Sequence, residues 1–148
     1  MMDALVKEVF VPVSPDVAFR RFTEEMATWW PIETHTVHAG EPSRVEFEGR
    51  VGGRLYEHTP EGRAAEWGIV TSWAPPDRVA FTWYPGRTAE TAQPVEVTFT
   101  AEPGGTRLRL VHGGWEILGD DAREAHAGYD AGWTSVLERY ADSLQVGV

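Results

Sequence analysis

The chain has 148 residues, a length typical of one domain with a substantial buried core. It contains no cysteine, which excludes disulfides, thiolate catalysis and zinc–cysteine sites. The formal net charge of −10 argues against a nucleic-acid partner, because binding to a phosphate backbone requires a basic surface. The first residues, MMDALVKEV, do not resemble a signal peptide, and no apolar run reaches the ~18 residues of a membrane span. We therefore expect a cytoplasmic protein that does not bind a membrane.

The start of the chain predicts one strand followed by two helices. Residues 5–13 are rich in β-branched side chains, which favour a strand. Ser14 is a favourable N-cap and Pro15 suits the first position of a helix, so we predict a helix over residues 16–23. Residues 24–31, EEMATWWP, predict a second short helix that ends at its proline.

The middle of the chain predicts a series of antiparallel strands. A loop over residues 32–42 comes first, and apolar side chains then recur at every second position, as in a half-buried strand. The turns APPD, at residues 74–77, and AEPGG, at residues 101–105, connect neighbouring strands as in hairpins. We count about seven strands in the chain, and their short connections predict a curved antiparallel sheet.

A long amphipathic helix is predicted over residues 121–145. At about 100° per residue, its large apolar side chains share one stripe, formed by Tyr129, Trp133, Val136, Leu137, Tyr140 and Leu144. Gly128, Gly132 and Ser135 form a stripe of small residues beside it. Each glycine costs ~1 kcal/mol relative to alanine in a helix interior. Close packing of helix on sheet and space for a ligand both explain such glycines.

Six segments occurring in a fixed order resemble the SRPBCC (START-like, helix-grip) superfamily. They are VFVPVSPDVAFRRFT, ATWWP, GGRLYEH, VTSWAPPDRVAFTW, VEVTFTAEPGGTRLRLVHGGW and AGWTSVLERYADSL. Within the superfamily, the sequence is most similar to the branch named after the activator of heat-shock-protein-90 ATPase, over residues 7–144. The resemblance implies an α+β helix-grip fold, in which a curved antiparallel sheet wraps around a long C-terminal helix. Two short helices would follow the first strand, and residues 1–148 would form a single domain.

The resemblance also implies a cavity between the sheet and the C-terminal helix. Members of the superfamily bind lipids, polyketides and other hydrophobic molecules there, and a few catalyse cyclisation or dehydration. Our first hypothesis is therefore a protein that binds a hydrophobic or aromatic small molecule without a cofactor. The alternatives are a chaperone-linked or regulatory module with a protein partner, and a cyclase, dehydratase or hydrolase. Co-chaperones of this branch carry an additional N-terminal domain that this sequence lacks, which weakens a literal transfer of their role. A monomer and a homodimer both fit the sequence.

Aromatic residues dominate the predicted wall of the cavity. An indole combines a large apolar body with one N–H donor, which suits a ligand pocket. For any single tryptophan, simple core packing is the alternative that we favour. The cavity candidates are Trp30, Tyr56, Trp67, Phe81, Trp83, His112, Trp115, Gly128, Tyr129, Gly132, Trp133 and Val136. The first choices among them are Trp30, Trp83 and Trp133.

The direction of Tyr56 depends on the register of its strand. If Leu55 faces the core, then Arg54, Tyr56 and His58 face solvent, and a shift of one residue would turn all three toward the cavity. We expect Tyr56 to point partly inward.

Two histidine-containing patterns could carry chemistry. His35 and His38, with Glu33 nearby, could bind a metal ion, but nothing fixes a third ligand and surface histidines are the alternative. His112 and Glu116 could act as an acid–base pair if they were buried together. We predict no catalytic residue, no metal site and no cofactor, because the sequence contains no phosphate-binding loop, dinucleotide motif or triad order.

Overall fold

The computed structural model describes residues 3–37 and 43–145. Seven strands are present in these residues: β1 (Leu5–Val11), β2 (Arg44–Phe47), β3 (Arg54–His58), β4 (Ala64–Ala74), β5 (Arg78–Trp83), β6 (Gln93–Glu102) and β7 (Gly105–His112). They form an antiparallel sheet in the order β1-β7-β6-β5-β4-β3-β2. The sheet curls into a half-barrel around a long C-terminal helix, which confirms the helix-grip fold.

The helices are α1 (Pro15–Phe22) and α2 (Ala122–Ser143). Helix α1 begins as predicted, with Ser14 as its N-cap and a proline in its first turn. The second predicted helix is reduced to a single 3₁₀ turn, Met26–Thr28. Pro31 disfavours the helical conformation of Trp30, the residue before it, and the turn ends at Thr28. None of the helices in the described residues is both long and apolar enough to cross a membrane.

Helix α2 packs its apolar stripe against the concave face of the sheet. The side chains of this stripe that the structure buries are Trp133, Val136, Leu137, Tyr140 and Leu144. The hydroxyl of Tyr140 donates to the carbonyl of Ala18 across 2.7 Å, and Arg21 Nη1 donates to the carbonyl of Ser143 across 2.8 Å. Both bonds fix the end of α2 against α1, which sets the depth of the space between helix and sheet.

Strand β3 has the opposite register from the one that we expected for Tyr56. Leu55 and Glu57 are fully buried, whereas Tyr56 lies on the other face of the strand. There its ring is 4.3 Å from the guanidinium carbon of Arg54 and 5.9 Å from the ring of His58. The inward direction predicted for Tyr56 is therefore wrong. Burial of Leu55 sets the register, and the strand's period of two then brings Glu57 into the interior.

Candidate functional site

A cavity of about 370 Å³ lies between the sheet and α2. Seven of the predicted cavity residues line it: Trp30, Trp67, Trp83, Tyr129, Gly132, Trp133 and Val136. Six further lining residues were not predicted: Thr34, His35, Thr36, Val37, Pro85 and Gly86. They come from two loops, and no periodicity in the sequence indicates which way a loop side chain points.

Four tryptophans form most of the apolar wall. The ring centroids are 4.9 Å apart between Trp30 and Trp67, 5.7 Å between Trp67 and Trp83, and 5.1 Å between Trp83 and Trp133. These spacings are typical of favourable aromatic pairs. All four side chains are at most 5% exposed, so each ring is held by the others and by the core. The wall is therefore preformed.

Three of these indoles direct their N–H groups into the protein. Trp30 Nε1 donates to the carbonyl of His35 at 2.7 Å, Trp67 Nε1 to Glu57 Oε1 at 2.8 Å, and Trp133 Nε1 to His112 Nδ1 at 2.9 Å. Within the described part of the chain, the buried Nε1 of Trp83 has no hydrogen-bond partner. The wall thus combines apolar ring faces with a single unpaired donor.

Glu57 is a buried carboxylate that links the sheet to the loop over the cavity. Its Oε1 accepts from Trp67 Nε1 and also from the backbone N–H of Val37, at 2.6 Å. Hydrogen bonds to an ionised group are stronger than those between neutral partners. This role of Glu57 was not predicted, although the alternation of β3 places Glu57 inside once Leu55 is taken as buried.

The same loop is also held by helix α2. Arg139 Nη1 lies 2.6 Å from Glu33 Oε1, and this bond lowers the pKa of the Glu33 carboxyl. The Thr34 hydroxyl lies 2.6 Å from His35 Nδ1. In the proposed metal pattern, His38 falls outside the described residues. Within residues 3–37 and 43–145, no group of three potential ligands could hold a metal ion.

His112 is fully buried behind the pocket wall. Its Nδ1 accepts the Trp133 hydrogen bond, so the neutral ring carries its proton on Nε2. Burial, and to a smaller extent the positive charge of His126, lower the His112 pKa to about 3. Glu116 is exposed, so the acid–base pair considered for His112 and Glu116 does not form. Instead, the ring of His112 stacks on that of Trp115, with centroids 4.3 Å apart.

Besides Tyr56, four of the predicted cavity residues do not line the pocket: Phe81, His112, Trp115 and Gly128. Phe81 precedes Trp83 by two residues on β5 and faces the same side of the sheet. It lies about 7 Å further along the strand, where it packs in the core. His112 and Trp115 lie in the layer behind the wall. Gly128 is exposed on α2, and a Cβ added there would meet no atom within 4 Å.

The two helix glycines therefore differ in their surroundings. Gly132 borders the pocket, where an added Cβ would lie 4.0 Å from the ring of His35. Four residues advance a helix by about 40° beyond a full turn, which carries Gly128 away from the pocket. The prediction that both glycines shape the cavity is wrong for Gly128.

Tyr129 is half-buried on the pocket wall. Its ring centroid is 5.1 Å from that of His112. Burial raises the pKa of the Tyr129 hydroxyl. The charge of Arg87 opposes this rise, as does the neighbouring N–H of Trp83, which approaches the hydroxyl without reaching hydrogen-bond geometry.

Solved structures share the fold over nearly the whole chain. A protein from Mesorhizobium loti gives a TM-score of 0.71 at 21% identity, covering 97% of this chain and 99% of that one. The Aha1 dimer from Colwellia psychrerythraea gives a TM-score of 0.71 at 18% identity, covering 99% of this chain and 98% of that one. At such identities the similarity establishes the fold and not the activity.

A third solved structure is more similar in sequence than these two. The anthrahydroquino-γ-pyrone synthase Txn09 is 32% identical, with a TM-score of 0.59, over 87% of this chain and 88% of that one. Curated protein sequences give no significant match. The family model described as Activator of Hsp90 ATPase homolog 1-like protein matches residues 12–145. The chain therefore belongs to the Activator of Hsp90 ATPase homolog 1-like family, as its resemblance to this branch of the SRPBCC superfamily implied.

Proposed function

We propose that this protein binds a compact, planar aromatic molecule in the pocket between the sheet and α2. The fold of the family supports a small-molecule-binding or Hsp90-activator-like module. The wall of four indoles is the observation that favours the first of these. Because Trp30, Trp67 and Trp133 use their N–H groups inside the protein, they offer ring faces to a ligand.

The size of the cavity supports a small ring system. Ligand pockets span roughly 300–1,000 Å³. A volume of about 370 Å³ is near the lower end of this range, which favours two or three fused rings over a long acyl chain. The relative Txn09 is named as the synthase of an anthrahydroquino-γ-pyrone, which is itself a fused aromatic ring system.

Catalysis and protein docking have weaker support. His112 is a poor general base, because its Nδ1 is occupied and its pKa is lowered to about 3. A contiguous apolar patch on the outer surface would favour a protein-docking site. In the described residues, the exposed large apolar side chains are dispersed over five segments of the chain: Val6, Phe10, Val17, Val37, Val51 and Ile117.

Native mass spectrometry of freshly purified protein is the first test. We expect a stoichiometric aromatic compound that is released on denaturation and identified after extraction. If the protein carries no ligand, titration with fluorene and 9-fluorenone should quench its tryptophan fluorescence. An apo mass together with no quenching by either compound would overturn the proposal and leave the protein-partner function.

Two glycine substitutions provide a matched test of the pocket. Gly132→Leu places a side chain in the pocket, whereas Gly128→Leu makes the same change one helical turn away, where an added Cβ meets no atom. We expect the first variant to weaken fluorene binding by about tenfold or more and the second to leave it unchanged. Equal effects of the two substitutions would contradict ligand binding in this pocket.

A further inference from the structure

Two buried side-chain polar atoms in the described residues have no hydrogen-bond partner: Trp83 Nε1 and His112 Nε2. Both are donors. An indole nitrogen can only donate, and His112 carries its proton on Nε2 because its Nδ1 accepts from Trp133. Leaving a buried donor unpaired costs about 1–3 kcal/mol, so each of these two donors calls for an explanation.

Both donors belong to residues that adjoin Tyr129. The His112 and Tyr129 rings are 5.1 Å apart, and the Trp83 N–H is directed near the Tyr129 hydroxyl. Trp133 connects the two sides, since its ring is 5.1 Å from that of Trp83 and its N–H bonds to His112. Tyr129 and Trp83 both line the cavity, so these groups form a polar end to a pocket that is otherwise apolar.

Arg87 brings a positive charge near this polar end, where it is also paired with Asp121. Arg87 follows the pocket-lining residues Pro85 and Gly86, and its charge lowers the pKa of the Tyr129 hydroxyl. Arg87 Nη1 lies 3.8 Å from Asp121, whose side chain is 71% exposed. A positive charge beside N–H and O–H donors favours an oxygen that accepts hydrogen bonds and carries partial negative charge.

From this arrangement we infer that Tyr129 and Trp83, backed by His112, bind a carbonyl oxygen of an aromatic ligand. The inference rests on the proposed function and names the ligand class as aromatic ketones or quinones. The Tyr129 hydroxyl donates to the carbonyl from the pocket wall. Trp83 Nε1 is buried in the free protein, so the pocket wall must shift slightly to expose it before the carbonyl can accept from both donors.

A pair of probes that differ in one carbonyl tests this inference. 9-Fluorenone and fluorene share a planar three-ring frame, and only the former has an acceptor oxygen. We expect the wild-type protein to bind 9-fluorenone about tenfold more tightly than fluorene, because one or two well-placed hydrogen bonds provide a difference in affinity of this size. In ¹H–¹⁵N spectra, 9-fluorenone should shift the indole N–H resonance of Trp83 downfield, as a hydrogen bond does, whereas fluorene should cause only the smaller ring-current shift of a neighbouring aromatic ring. A Trp83→Phe spectrum, which lacks that signal, assigns it.

Tyr129→Phe removes one hydroxyl from the proposed polar end. Its preference for 9-fluorenone should fall to about threefold or less, with the affinity for fluorene retained. Tyr56→Phe makes the same change on the outer face of β3 and should behave as the wild type. Equal binding of both probes to the wild-type protein would overturn the carbonyl site and leave aromatic binding intact. A preference that persists in Tyr129→Phe without a shift of Trp83 would also overturn it. If neither probe binds and the purified protein carries no aromatic compound, the proposed function fails as well.

Discussion

Trp133 donates its indole N–H to His112 Nδ1 across 2.9 Å, between helix α2 and the end of strand β7. This bond determines what each residue offers to its surroundings. Trp133 turns its only polar atom away from the pocket and presents its ring to the cavity. His112 is fixed as the neutral tautomer with its proton on Nε2. One contact therefore makes the wall apolar and supplies a buried donor behind it.

The buried His112 should make stability depend on pH. Its pKa is about 3 in the folded protein, against an ordinary value of 6.5, so the unfolded chain binds more protons between these values. The stability that the neutral His112 contributes is therefore fully present above pH 6.5, and the free energy of unfolding decreases as the pH falls toward 3. We expect a loss of up to about 1.4 kcal/mol per pH unit in this window.

Urea denaturation at pH 7 and at pH 5 measures this effect. The matched variant His112→Phe lacks the titrating group, so its stability should fall less between the two pH values. The difference between the two proteins isolates His112 from the carboxylates that also titrate. Identical pH slopes for the wild type and the variant would contradict a buried neutral His112.

The Glu57 carboxylate should be required for the order of the loop above the pocket. Glu57→Ala leaves the N–H groups of Trp67 and Val37 without their acceptor, and we expect a loss of about 2–4 kcal/mol. Glu57→Gln keeps an acceptor oxygen and should lose less. Amide hydrogen exchange at Val37 should accelerate in the alanine variant, and Glu61→Ala, in an exposed turn, is the control. Unchanged exchange at Val37 would show that the loop does not depend on this carboxylate.

Alanine at either helix glycine should stabilise the protein. Gly128 is exposed, and a Cβ at Gly132 would make only ordinary contact with His35, so neither position requires glycine for packing. We expect each substitution to add about 0.5–1 kcal/mol through better helix propensity. Thermal denaturation of Gly128→Ala and Gly132→Ala measures the gain. A loss of stability in Gly132→Ala alone would indicate that the helix approaches the loop too closely for a methyl group.

The hydroxyl of Tyr140 should contribute measurably to the docking of α2. It is fully buried and donates to the Ala18 carbonyl at 2.7 Å. Tyr140→Phe keeps the ring and leaves that carbonyl without this bond, at a cost of about 1 kcal/mol. Chemical denaturation compares the variant with Tyr56→Phe, in which an outer-face hydroxyl is lost. Equal stability of the two variants would contradict the role given to this bond.

Periodicity was enough to predict which face of α2 is buried. The spacing of Trp133, Val136, Leu137 and Tyr140 is set by helix geometry alone. The same kind of pattern did not determine Tyr56, because a strand of five residues fits either register until its neighbours select one. Gly128 shows a related limit, since a stripe of small residues does not reveal how far along the helix the pocket extends.

The polar contacts of the site could not be predicted from the sequence. Trp133 and His112 are 21 residues apart, and Val37 and Glu57 are 20 apart, so both pairings depend on the tertiary arrangement. The sequence does show seven tryptophans, but not which of their N–H groups find an acceptor. The apolar wall was thus predictable as a supply of aromatic residues, whereas its single unpaired donor was not.

The bond between Glu57 and Val37 links the loop over the cavity to the edge of the sheet. Glu57 lies on β3, and only β2 separates this strand from the edge of the sheet. Edge strands open locally more often than central ones. Each opening of β3 would release the Val37 end of the loop, so the residence time of a ligand in the proposed pocket should follow the fraying rate of this edge and not the stability of the whole protein.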